Sequence, residues 1–415
     1  ELDALLLTHA HVDHCGLTPK LVREGFHGPI ITTSASADLV ELVLRDSAHI
    51  QAEEAAYKKK RHREEGRKGK HPEKPLYSLN DVEQTLPLLK PVSYRQVVEI
   101  TPHASVVFHD AGHILGSAMI ELRVQTPGGP RTLVFSGDLG QAGKPIVCNP
   151  AVLTKANHIV MESTYGDRNH EDHGNVESQL ADVINRTADR GGNVVIPIFA
   201  IERSQELIYY LSRLSRARRI PSLPAFLDSP MAVDATGIFR RHRECFDAET
   251  WMRINSGDSP LSYPELTMVR TSEDSKAINR QKGPVIIMST SGMCTAGRIK
   301  FHLRQNLGRP ESTILFVGYQ AQGTLGRLIR DGKQEVRIHG HNLWVKAQVD
   351  EIHGFSGHAD RDALLRWLGH FNSPPQNLFL THGEEDSAQN LAAHVRNELG
   401  WKVTVPEYQQ VVEID

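Results

Sequence analysis

Five apolar runs of this chain end in a histidine or a carboxylate. "ALLLT" leads into His9, "VVFHDAG" into His113, "TLVFSG" into Asp138, "HIVM" into Glu162 and "NLFLT" into His382. Short apolar runs bounded by turn residues read as buried strands. In α/β sheets the ligand crevice lies at the carboxyl ends of the strands. Strands sharing a sheet would therefore bring these five residues to one edge, which points to an α/β fold built around a polar site.

The first run continues as "LLLTHAHVDHCG", residues 5–16. His9 and His11 stand two apart, so in extended backbone they point the same way. Asp13 and His14 follow once the chain turns. Imidazole and carboxylate are the ligands expected for Zn²⁺, at bond lengths of about 2.0–2.1 Å. Adding His113, Asp138 and His382 gives seven candidate ligands. That is too many for one tetrahedral ion and suits two ions sharing a bridging carboxylate. Two metals about 3.5–4 Å apart suit phosphoryl chemistry. The competing reading for any single one of the 22 histidines is a hydrogen-bonded surface residue. The strict His-x-His-x-Asp-His spacing outweighs that reading.

With 415 residues, two domains are expected. A net charge of −3 supplies no global field for nucleic acid, so any such partner needs a local basic patch. Four scattered cysteines without a Cys-x-x-Cys pair favour a reducing compartment and a cytoplasmic location. No apolar run approaches membrane-span length. Residues 37 to about 63 read as a long helix that becomes basic, and "LNDVEQTLPLL" as a short one with capping-box spacing at Asn80 and Glu83. Several strands follow with few helices between them. After about residue 173 strands and helices alternate, as in a parallel sheet flanked by helices. "EVRIHGHNLWVKAQVDEI" reads as a strand pair.

These motifs resemble a known family. "HAHVDH" with His113 and Asp138 is similar to the metal motif of the metallo-β-lactamase superfamily. "MESTYGDR", "SGHAD" and "LTHGEE" resemble motifs A, B and C of the β-CASP nucleases. "FAIERSQEL", "STSGMCTAGR" and "GYQAQGTLGRLI" resemble that group's inserted domain. The resemblance covers nearly the whole chain and is nearest to the stand-alone bacterial RNA-degrading members, relatives of the pre-mRNA 3′-end cleavage endonuclease.

The resemblance implies an αββα metallo-β-lactamase sandwich, residues 1–172 and 334–415, interrupted by a β-CASP domain at 173–333. It also implies strands ahead of the first metal motif, which a chain starting at Glu1 does not contain. Two Zn²⁺ per chain are implied, one held by His9, His11, His113 and Asp138, the other by Asp13, His14, His382 and the shared Asp138. Glu162 matches motif A and His358 motif B. The family's proposed general acid is the motif-B histidine, oriented by the motif-A carboxylate. Motif C carries His in RNA-processing members and Val in DNA-repair members, so His382 favours RNA.

The implied activity is hydrolysis of RNA phosphodiester bonds by a zinc-activated hydroxide, leaving 5′-phosphate and 3′-hydroxyl ends. Endonucleolytic and 5′→3′ exonucleolytic attack both fit, as does a homodimer. Single-stranded RNA is the expected partner, with no membrane. Ser291 and Gly292, in a small-residue loop before a helix, and Arg298 are candidate phosphate contacts, with Ser356 and Gly357 beside His358. Arg327, which like Arg298 follows a glycine, is also a candidate, and Arg203 reads equally as a structural ion pair. The basic run of Lys58, Lys59, Lys60, Arg61, Arg63, Arg67, Lys68 and Lys70 is either an RNA-approach patch or a solvated helix end. Three rival functions remain open: another hydrolase on the same scaffold, a DNA-processing nuclease, and an inactive RNA-binding scaffold.

Overall fold

The computed structural model describes residues 2–66, 73–170 and 176–414. Contacts divide the chain into two compact units. The first comprises residues 1–142, 149–168 and 358–415, the second 143–148 and 169–357. The 172/173 boundary expected from the sequence lies outside the described residues.

The first unit is layered helix, sheet, sheet, helix. Its larger sheet has seven strands in the order Val403–Thr404, Asn377–Thr381, His158–Glu162, Gly129–Phe135, Ala118–Thr126, Ala104–Asp110, Val97–Thr101. The meander from Val97 to Phe135 is antiparallel, while the strands from Gly129 to Thr404 in that order pair in parallel. A smaller parallel sheet joins Leu5–Leu6, Ile30–Thr33 and Leu89–Val92. Strand periodicity sorts the side chains: Ala118 and Ile120 pack with Ile31, Val106 and Phe108 between the sheets. Met119, from the same strand, faces the opposite layer with Leu364, Trp367, Leu391 and Trp401. Burying each such apolar side chain contributes about 1.5–3 kcal/mol.

On the other side lies the helix Ser34–Glu64, capped by Thr33, whose hydroxyl accepts from Ser36 N. It begins three residues before the expected start because Thr33 supplies that cap. The next helix, Leu79–Thr85, corrects the capping-box expectation. Ser78, not Asn80, is the cap, and its box partner is Asp81, not Glu83. The described part of the basic run forms the end of the long helix. There Lys58 pairs with Glu54, Lys60 with Glu64 and Arg61 with Glu65, each one turn apart. Arg67, Lys68 and Lys70 lie outside the described residues.

The second unit is a parallel sheet of six strands in the order Leu266–Val269, Ala225–Asp228, Ile286–Ser289, Val194–Pro197, Thr313–Phe316, Gln348–Glu351. Both faces are covered by helices. Ile196, Leu227, Met288 and Leu315 pack into one core, and Val195, Phe226, Ile287 and Ile314 into the other. Continuous apolar strands are what a sheet buried on both faces requires. The stretch from Glu335 differs from the expected strand pair. Glu335–Ile338 and His341–Trp344 form an antiparallel hairpin, and Gln348–Glu351 then adds a further strand beside Thr313–Phe316.

Candidate metal centre

The first strand is shorter than the apolar run suggests. Only Leu5–Leu6 pair fully, and the chain then leaves the ladder while Leu7 N still donates to Ile31 O and Ala118 N to Thr8 O. His9 is thereby fixed in fully buried, irregular backbone. His11 keeps extended dihedrals and starts the one-turn helix Val12–Cys15, which carries Asp13 and His14. His113 sits in the turn after the strand Ala104–Asp110, where the Ser117 hydroxyl accepts from the backbone N–H of both His113 and Ile114. Asp138 follows the strand Gly129–Phe135. His382 follows Asn377–Thr381 at a left-handed φ of 53°, and Thr164 donates its hydroxyl to His382 O at 3.0 Å.

Ligand atoms from these segments converge in two groups. In the first, His9 Nε2 lies 3.0 Å from His11 Nδ1, and His113 Nε2 lies 3.2 Å from the same nitrogen. Asp138 Oδ2 is 3.4 Å from His9 Nε2 and 3.5 Å from His113 Nε2. In the second, His14 Nε2 is 3.1 Å from His382 Nε2, which is 3.4 Å from Asp13 Oδ2. Asp138 Oδ1 lies 3.4 Å from His14 Nε2 and 3.3 Å from His382 Nδ1, so this carboxylate touches both groups.

These spacings fit metal ions. A tetrahedron of donors about 2.0–2.1 Å from a central zinc has edges of about 3.3–3.4 Å. Three imidazole nitrogens crowd at His11 Nδ1, where one shared proton can satisfy only one contact. Among the described residues no well-formed hydrogen bond reaches the buried Asp138 Oδ1, whose nearest neighbours are the His14 and His382 imidazoles, a costly arrangement unless a cation is the missing partner.

Electrostatics point the same way. Burial, and for two of them their neighbours, drives protons off the imidazoles: His9 and His113 are lowered, and His11 falls to about 3. Neutral imidazole is the form that binds metal. Burial alone would raise the Asp138 carboxyl, but the adjoining His14 and His9 imidazoles hold it well below the usual range. Asp13 is lowered and His382 raised to about 9, each chiefly by their mutual hydrogen bond.

Beside the first group stands a third cluster. Glu162 is buried; it accepts from Leu139 N at 2.6 Å and faces His358 Nδ1 at 3.2 Å from both carboxylate oxygens. Burial would lower the His358 pKa, but the Glu162 charge and hydrogen bond raise it above its ordinary value. The His358 ring lies 4.5 Å from that of His113.

The candidate substrate residues Ser291, Gly292, Arg298, Ser356 and Gly357 all lie in the second unit, which Ser356 and Gly357 end immediately before His358. Ser291 Oγ accepts from Ala296 N and closes the loop after Ile286–Ser289. Gly292 leaves room for the Phe199 ring, which a Cβ there would meet at 2.7 Å. Arg298 donates to Asp228 Oδ1 and to Arg270 O. Arg327 is paired with Asp331, and buried Arg203 with Glu206. The hydroxyls of Ser117 and Thr164, which hold the His113 and His382 segments, were not apparent in the sequence, because isolated small polar residues carry no periodic signal.

Comparison with known proteins agrees with the motifs. The Beta-Casp domain family matches residues 204–329, and the Zn-dependent metallo-hydrolase RNA specificity domain matches residues 343–406. Ribonuclease TTHA0252 of Thermus thermophilus is 38% identical over 386 residues, covering 93% of this chain and 82% of that protein. The chain belongs to the β-CASP ribonuclease family of the metallo-β-lactamase superfamily. This β-CASP protein is also similar to transcription termination factors FttA. That of Methanosarcina mazei is 33% identical over 96% of the chain, and that of Thermococcus kodakarensis 31% over 100%; the chain spans 61% and 62% of their lengths. Family membership makes it a metal-dependent hydrolase of an RNA-related group. No helix among the described residues is long and apolar enough to cross a membrane.

Proposed function

We propose that this protein is a zinc-dependent ribonuclease that hydrolyses single-stranded RNA and leaves 5′-phosphate and 3′-hydroxyl ends. The observation that carries the reading is Asp138, whose two oxygens each face a separate group of imidazoles, beside the Glu162–His358 pair. His9, His11, His113 and Asp138 would hold one Zn²⁺, and Asp13, His14, His382 and the shared Asp138 the other. Bound there, the ions supply a water of pKa near 7 and neutralise charge developing on the phosphate oxygens.

The chain's own residues do the rest. Glu162 holds His358 Nδ1, so Nε2 is the nitrogen that gives its proton to the leaving 3′-oxygen. The pKa of His358, raised above its ordinary value, keeps that proton in place near neutrality. Ser291, Gly292, Ser356 and Gly357 are assigned to phosphate holding, while Arg298 is spoken for by Asp228 and Arg270 O. The sandwich is assigned to the first unit and the β-CASP insert to the second, whose last strand, Gln348–Glu351, lies beyond the 333/334 boundary expected from the sequence. A cytoplasmic setting is consistent with the absence of disulfides among the four cysteines. We favour ribonuclease over a termination role because the chain is 38% identical to the ribonuclease relative and 33% to the M. mazei factor.

The test is incubation of zinc-loaded protein with labelled single-stranded RNA, the matching DNA and a thioester. Cleavage of RNA alone is expected; hydrolysis of DNA or thioester with RNA intact would overturn the reading. A circular RNA separates the two modes, since only internal attack opens it.

A further inference from the structure

A cavity of about 500 Å³ lies in the second unit between the helices Ser272–Ile278 and Ile299–Asn306. It is large enough for a nucleotide-sized ligand. It adjoins the carboxyl end of the strand Ala225–Asp228, where α/β sheets bind ligands. Its lining includes Lys276, Arg280, Arg298, Phe301, Asn279 and Gln305, and no carboxylate among the described residues lines it.

The wall is built rather than incidental. Asp228 is fully buried and accepts from Ser275 Oγ at 2.6 Å and Arg298 Nη1 at 2.8 Å, with His302 Nε2 at 2.6 Å. Arg298 Nη2 is tied to Arg270 O at 2.7 Å. The guanidinium is thus locked in one pose at the cavity. Lys276 and Arg280 are exposed and form no ion pair among the described residues. Phe301 is 53% exposed, with one side of its ring against His339 at 4.6 Å. An exposed aromatic beside unpaired cations and side-chain amides is the combination that binds single-stranded nucleic acid: cations take phosphates and the ring takes a base.

We propose that this cavity is a second RNA-binding site, seating one nucleotide of a single strand on Phe301, with its phosphates on Lys276 and Arg280. The ligand class rests on the ribonuclease reading, but the site takes no part in the chemistry.

The experiment measures binding of a fluorescent 12-residue oligouridylate to zinc-loaded protein in an H358A background, which slows cleavage about 10²–10⁴-fold. K276E/R280E should weaken binding about tenfold and flatten the salt dependence of log K by about 1.4, two phosphate contacts at about 0.7 each. F301A should weaken it about tenfold with the salt slope unchanged, and F301W should restore it. A 4-thiouridine in the oligomer should cross-link to peptides from 272–280 or 299–306. Wild-type affinity and slope in both variants would overturn the proposal, as would cross-links confined to other peptides. It would also fall if free uridine monophosphate binding were lost in F301A while oligomer binding stayed intact, since the ligand would then be the mononucleotide. Intact oligomer binding with no cleavage by the wild-type enzyme would instead sink the ribonuclease reading and leave this site standing.

Discussion

His358 Nδ1 lies 3.2 Å from each carboxylate oxygen of Glu162, a symmetric contact that fixes both the ring plane and the nitrogen left to act. The carboxylate is itself pinned by the N–H groups of Leu139 and Thr164. Removing the imidazole should therefore cost the full general-acid contribution, and neutralising its partner only the positioning part. H358A is expected to lower kcat on RNA about 10²–10⁴-fold, and E162Q about 10–100-fold, with KM unchanged in both. Steady-state kinetics check this. Equal kcat in wild type and H358A would remove His358 from proton transfer.

Asp13 belongs to the second ligand group yet is 61% exposed on its side chain. Its loss should thus spare the core. D13A is expected to fall from about two bound zinc ions per chain to about one, with cleavage at background and an unfolding midpoint close to wild type. Metal analysis by mass spectrometry, together with a thermal melt, reads both. Two retained ions, or undiminished turnover, would take Asp13 out of the site.

Much of the site was legible because its residues stand where apolar runs stop, a pattern that one-dimensional periodicity exposes. His9, His113, Asp138, Glu162 and His382 were all found that way. The apolar run Ala118, Met119, Ile120 is a strand buried on both faces. What stayed hidden depends on partners far away in sequence. Arg298 follows a glycine in a loop, which suggested a free phosphate contact, but its guanidinium is held by Asp228, 70 residues earlier. The capping box failed for a local reason. Ser78 with Asp81 has the same spacing as Asn80 with Glu83, and only geometry shows that Asp81 Oδ2 takes the Ser78 N–H at 2.7 Å. The pairing of Gln348–Glu351 stayed hidden because its neighbour, Thr313–Phe316, lies across a hairpin and a helix.

Asp110 gives a pH dependence with a definite sign. Burial pushes its carboxyl from 3.8 up to about 7, against the pull of the Gly112 N–H that it accepts at 2.8 Å. A folded-state pKa above the unfolded one means the fold prefers the neutral acid. The penalty is absent below about pH 4, grows between pH 4 and 7, and is complete above 7. D110N stays neutral and keeps an oxygen for Gly112. Its melting temperature should therefore gain on wild type as pH rises through that window, then run parallel to it. Melts compared at matched pH and metal content decide it. A constant difference across the window would mean Asp110 titrates normally.

Gly140 carries the closest approach in the site. Its N–H donates to Ala111 O at 2.8 Å, and a Cβ on it would fall 1.7 Å from Gly112 O and 2.7 Å from His113 N. These are backbone atoms and cannot swing aside. G140A must push the segment bearing Asp138 away from the turn bearing His113, so stability and metal binding should fail together. We expect a loss of about 2–3 kcal/mol in unfolding free energy and a weakened ion at the group formed by His9, His11, His113 and Asp138. Gly308, with nothing within 4 Å of a built Cβ, is the control, and G308A should stay within about 0.5 kcal/mol of wild type. Denaturant unfolding with parallel zinc titration measures both. If G140A bound zinc as tightly as wild type while losing stability, the two segments would not be coupled through the metal.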